Sequence, residues 1–246
     1  MTQKRSENID YKVAIVLILV AVTIISTLYY ATHREITDPQ VLIAKTVEAS
    51  EDIATYRFAL STSLSMPEGS VKMMSSTGSV DYPNKKMRTT VTAMNRSLEM
   101  IIIGDTTYVR ESYGSWQTQN VSDYSRSLWE SDQLVQQRSL LQNATNVTMQ
   151  TEETGWVLDV IPDHKEVIAQ MKRSGMETIK DDELIDFTIT YWIARDTYWI
   201  TKIENRIALE MNIQGLMTPI QLNNSVSFYD YNTAMIIEAP APFIDF

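Results

Sequence analysis

The chain of 246 residues contains two histidines, His33 and His164, and no cysteine. Nucleophilic catalysis usually needs a base held against the nucleophile. His164 beside Asp163 could act as one, but the pair opens a predicted helix, where an exposed cap is the commoner role. The seven glycines are scattered, with no Gly-x-Ser-x-Gly elbow and no glycine loop able to cradle phosphate. Without cysteine there is no disulfide, no thiol nucleophile, no thiolate zinc site and no cysteine-linked lipid. Asp181, Asp182 and Glu183, with Glu177 and Asp186 nearby, offer hard oxygen ligands of the kind calcium takes. The glycine-containing calcium-loop spacing is missing, so this run reads as a solvated loop. No catalytic residue, metal ligand or cofactor is assigned, and the chain does not read as an enzyme. Five Asn-x-Ser/Thr sequons, at Asn95, Asn120, Asn143, Asn146 and Asn223, are glycosylation candidates if the domain lies outside a membrane.

A stretch from Val13 to Ala31, VAIVLILVAVTIISTLYYA, places that domain. It has no charge, proline or glycine. About 20 apolar residues in a helix cross a hydrocarbon core of roughly 30 Å. A globular helix this long would normally carry polar residues on one face. A cleaved signal peptide has a shorter apolar core, and Tyr29 and Ala31 make a poor cleavage pair. An uncleaved anchor is therefore expected. Lys4, Arg5 and Lys12 precede it, while Arg34 and His33 follow closely, so the N-terminus is expected in the cytoplasm. The expected organisation is a cytoplasmic tail at 1–12, an anchor at 13–31, a linker at 32–37 and an extracytoplasmic domain at 38–246. Of 21 basic and 31 acidic residues, four and two lie in the first 34, leaving 17 and 29, a net of −12. Such a surface repels nucleic acid and excludes it as a partner.

Asp38-Pro39 is expected to cap a helix running to about Ile53. The period then changes to two. Strands are predicted over residues 56–66, 71–82, 86–93, 98–103 and 106–110, a helix over 125–142, and strands over 146–152 and 155–161. A helix follows at 164–174, then strands near 185–194, 200–211 and 219–231. Short connections make the sheet mainly antiparallel. The fold class is α+β: one strongly curved antiparallel sheet with helices on its concave side, preceded by a transmembrane helix.

This order resembles the LolA/LppX-type lipoprotein carrier superfamily. Four segments carry the resemblance: VLIAKTVEASEDIATYRFALSTSLSM, a helix leading into a long strand; the hairpin IIIGDTTYVR with Gly114 and Trp116 after it; YWIARDTYWITKIENRI, strand, polar turn and strand; and SFYDYNTAMIIEAPAP, a last strand with a proline-containing tail. Together they span roughly 38–242. The resemblance implies an unclosed half-barrel whose concave face holds a hydrophobic cavity for a lipid or isoprenoid chain. The cavity-lining candidates are Phe58, Leu60, Leu64, Met100, Ile102, Tyr108, Trp156, Leu158, Val160, Phe187, Ile189, Tyr191, Ile203 and Ile207. Many members are attached through an N-terminal cysteine or are soluble carriers; this chain departs in keeping a protein anchor. The methionines near the strands (Met73, Met74, Met94, Met100) suit a lipid pocket or an irregular core equally. An alternative to ligand binding is a structural or sensory surface protein that meets an envelope protein partner. Protease added to intact cells is expected to remove the large domain and leave the N-terminal tail protected; a protected large domain reverses the orientation.

Overall fold

The computed structural model describes Val20, residues 36–94, 96–120, Trp129, and residues 132–144, 146–173, 180–213 and 215–241. The expected anchor at 13–31 lies outside the described residues except for Val20. Among the described residues no helix is long and apolar enough to cross a membrane. The chain divides into two compact units, Met1–Thr37 and Asp38–Phe246.

The larger unit opens with helix α1 (Pro39–Glu51), where the Asp38 side chain accepts a hydrogen bond from the Gln40 N–H at 2.9 Å. Leu42, Ile43, Thr46 and Ser50 form its buried face. Six strands follow: β1 (Thr55–Met66), β2 (Gly69–Asp81), β3 (Lys86–Ala93), β4 (Arg96–Ile103), β5 (Thr106–Glu111) and β6 (Gln117–Asn120). Helix α2 (Gln133–Gln142) precedes β7 (Asn146–Glu152) and β8 (Gly155–Ile161). Helix α3 (His164–Arg173) leads to β9 (Leu184–Ala194), β10 (Ile200–Ile213) and β11 (Leu216–Tyr229). Among the described residues, the eleven strands form one antiparallel sheet in the order β6-β5-β4-β3-β2-β1-β11-β10-β9-β8-β7, and its two ends do not pair. The α+β class and the unclosed antiparallel sheet stand as expected.

Three features differ most from the sequence reading. Strand β6 was not expected, because Gln117–Asn120 offers no apolar alternation; pairing with β5 makes it a strand. Helix α2 begins at Gln133, capped by Asp132, and the earlier part of the predicted 125–142 helix, apart from Trp129, lies outside the described residues. Strand β11 extends back to Leu216 through Pro219. Proline is tolerated there because β1 pairs with β11 only as far as Gln221, so Pro219 borders a single neighbour, β10.

Register places the side chains. Directly paired residues share a face, so Leu60, Val226, Ile203, Tyr191 and Leu158 form one row across β1, β11, β10, β9 and β8. Strand β2 carries one extra residue, Met73, opposite Thr62 and Ser63, which leaves the alternation of β1 intact. At the edge of β8, any Cβ on Gly155 would run into the Ile193 carbonyl oxygen, so glycine permits the close approach of β8 to β9.

The helices cover one face. Val167, Ile168 and Met171 of α3 pack on Leu184, Ile207 and Leu209. Helix α2 is fixed by a buried carboxylate. Asp132, 4% exposed, accepts hydrogen bonds from the Val135 N–H at 3.1 Å, the Tyr82 hydroxyl at 2.7 Å and the Tyr56 hydroxyl. Burial, reinforced by the Asp132 charge, holds both phenols well above their ordinary pKa, so they remain donors. Folded-state phenols that resist ionisation bind more protons than the unfolded chain above about pH 10, so stability is full below that pH and falls as pH rises beyond it. Asp132→Ala removes the cap and strands two buried hydroxyls; a loss of about 3 kcal/mol is expected in denaturant unfolding. A loss below about 1 kcal/mol would show that the tyrosines find other partners.

Candidate binding cavity

The covered face contains all but one of the candidate residues. Phe58, Leu60 and Leu64 of β1 connect by register with Trp156, Leu158 and Val160 of β8, Phe187, Ile189 and Tyr191 of β9, and Ile203 and Ile207 of β10. Met100 and Ile102 join through Thr89 and Met87 of β3. Tyr108 does not. It pairs with Ile101, which pairs with Arg88, on the opposite face.

Sharing a face is not the same as lining a space. A cavity of about 320 Å³ lies between the sheet, α2 and α3. Leu60, Phe187 and Ile207 line it, together with Met74, Leu140, Val167, Met171 and Val226. Its volume falls at the low end of small-ligand sites. The other candidates are mostly packed core: Ile102, Leu158, Ile189, Tyr191 and Ile203 are fully buried, and Phe58, Trp156 and Val160 nearly so. The Phe58 ring occupies the space where a side chain on Gly78 would stand, which seats it against β2. Trp156 stacks on Tyr198 with ring centroids 5.5 Å apart. Leu64 and Met100 are half-buried on the same face, outside the cavity lining.

The cavity also has a polar wall that the sequence reading did not single out. Thr62, Asn224 and Asn205 form a row across β1, β11 and β10, between the apolar rows of Leu60 and Leu64. Gln136 and Gln137 of α2 face the same space. Gln137 Oε1 accepts from the buried Tyr191 hydroxyl at 3.2 Å, and burial holds that phenol above its ordinary pKa. Asn205 Oδ1 is buried and has no hydrogen-bond partner. The signal was present in the sequence: Ile203, Asn205 and Ile207 stand two apart on one strand and must share a face.

A larger concavity, about 610 Å³, lies on the other face, lined by Ser61, Asp159, Thr190, Glu204 and Arg206 among others. Its polar groups already satisfy one another or flanking residues: Thr190 donates to Asp159 at 2.7 Å, Lys202 pairs with Glu204 at 2.6 Å and Arg206 with Asp186 at 3.3 Å. This is a solvated sheet face, and the smaller cavity is the better binding site despite its size.

The remaining polar candidates are dispersed. His164 is exposed, its Nε2 3.2 Å from the Asp181 carbonyl oxygen. Among the described residues no group of three acidic or histidine side chains is placed to hold a metal. Of the sequons, Asn95 lies outside the described residues and Asn120 ends β6. Asn143 and Asn146 are exposed. Asn223 is half-buried within β11 and accepts a hydrogen bond from Gln221 at 2.7 Å.

No protein-family model and no curated protein matches the sequence. Solved structures of similar fold include two mycobacterial proteins. The lipoprotein LppX of Mycobacterium tuberculosis has a TM-score of 0.52 at 13% identity, over 81% of this chain and 98% of its own. LprF of Mycobacterium bovis has a TM-score of 0.50 at 11% identity, over 82% of this chain and 97% of its own. The larger unit shares the fold of these two proteins.

The geometry separates two residues that sequence treats alike. Ile189→Ala, in packed core, is expected to cost about 2–5 kcal/mol, and Ile189→Trp to prevent folding. Leu60→Ala is expected to cost less, and Leu60→Trp to leave a folded protein with a filled cavity. Denaturant unfolding of the four variants checks this; equal losses at both sites would mean that Leu60 too is closed core.

Proposed function

We propose that residues 38–246 form an extracytoplasmic binding module, held at the membrane by the segment 13–31, whose cavity accepts a lipid or other hydrophobic ligand. The observation that carries this reading is the space of about 320 Å³ left between an apolar sheet face and two helices that otherwise pack closely on it. Each methylene moved from water into such a site contributes about 0.8 kcal/mol, so binding needs no catalysis. The fold shared with a lipoprotein supports an extracytoplasmic setting.

A partner-binding surface protein is the second reading. Val71 of β2, Ile185 of β9, and Leu216 and Met217 of β11 are large apolar residues at least half exposed, each near one end of its strand. Where exposed apolar residues of this size adjoin, they mark an interaction surface.

Native mass spectrometry of the full chain after gentle purification tests the first reading. A co-purified hydrophobic adduct is expected, and Leu60→Trp is expected to lose it while remaining folded by circular dichroism. A ligand-free protein that also fails to take up the apolar dye N-phenyl-1-naphthylamine would overturn the proposal and leave the second reading.

A further inference from the structure

We infer that the cavity selects an uncharged amphiphile whose hydrogen-bonding head docks on the Asn205 amide; this rests on the ligand-binding reading above. Three observations carry it. No charged side chain lines the cavity among the described residues. A carboxylate or phosphate entering it would lose its hydration and meet no cation, at a cost of several kcal/mol. A neutral head avoids that cost.

The second observation is the state of Asn205. Its Oδ1 is buried and makes no hydrogen bond. A buried acceptor left unpaired costs about 1–3 kcal/mol. Asn205 lines the cavity, and a ligand donor recovers that cost when the amide turns its closed Oδ1 toward the space. An amide presents both an acceptor and a donor, so its best partner carries both as well, as a primary amide or an alcohol does. A carboxylate has only acceptors and would set negative oxygen against Oδ1.

The third is position. Asn205 pairs with Asn224, which pairs with Thr62, so the polar groups cross the sheet as a band. Leu60 and Val226 lie on one side of the band, Ile207 and Phe187 on the other. A ligand is therefore gripped by its chain on apolar rows and oriented by its head at the band.

Three probes of equal chain length separate the causes: decanamide, N,N-dimethyldecanamide, which lacks the donor, and decanoate at pH 8. Dissociation constants are measured on the full chain by native mass spectrometry. Decanamide is expected to bind at least about tenfold more tightly than either of the others, tenfold corresponding to one recovered hydrogen bond of about 1.4 kcal/mol. In Asn205→Val the preference for decanamide over its dimethyl form is expected to disappear. If all three probes bind the parent chain within about threefold, the head plays no part and this inference falls, while the ligand-binding reading stands. If none binds, this inference falls, and the ligand-binding reading falls with it only where the chain is also ligand-free and takes up no N-phenyl-1-naphthylamine. The three parent measurements decide the matter even if Asn205→Val does not fold.

Discussion

A carboxylate buried beneath a helix sets the arrangement of the larger unit. Asp132 caps α2 and receives the hydroxyls of Tyr56 and Tyr82, from β1 and the turn after β2. Removing a carboxylate from water is costly, and only several well-placed donors make it tolerable. Those donors come from the middle of the sheet, so the start of α2 can sit in one place alone. From there the helix runs across the covered face, and Tyr191 reaches Gln137 one turn further on. Position along the helix is thus fixed by polar contacts rather than by the non-directional apolar ones around them.

The cavity follows from that constraint. Helix α3 packs on Leu184, Ile207 and Leu209 at one end of the face. Helix α2 is tied through Asp132 toward the other end. Between them lies the band of Thr62, Asn224 and Asn205, against which no apolar side chain can close without isolating amide groups. A continuous apolar face would have allowed the helices to collapse to ordinary packing density. Here the polar row keeps a space open while the rows beside it keep the walls apolar.

Much of this was legible in the sequence because period-two alternation is a local property. Ten of the eleven described strands and the common face of residues as distant as Phe58 and Ile189 follow from it. What failed was parity across a turn. The loop Gly104-Asp105 has two residues, so Ile102 must face Thr107 and Ile101 must face Tyr108. An aromatic ring on a hairpin attracted the assignment that counting would have refused. The polar band was passed over for a related reason: Asn205 interrupts a hydrophobic series, and an interruption reads as noise until its cross-strand partners are known. Which buried side chains line a space and which fill a core was not legible at all, since Leu60 and Leu158 share a row and differ only in what the helices place above them.

That difference explains why a core of this kind retains an unpaired amide. Replacing Asn205 by valine would suit its neighbours Ile203 and Ile207, favour the strand and relieve a buried polar group. A fold optimised for stability alone would make that change. Binding sites are the places where local stability is given up for a group that pairs only when the ligand arrives. The rest of the face is closed and apolar, so the loss is confined to one row. An unsatisfied acceptor in a shallow surface groove would be met by solvent and would select nothing. Between two helices, in a space little larger than a short chain, the same acceptor would discriminate by what it leaves unpaired, as the proposal above requires.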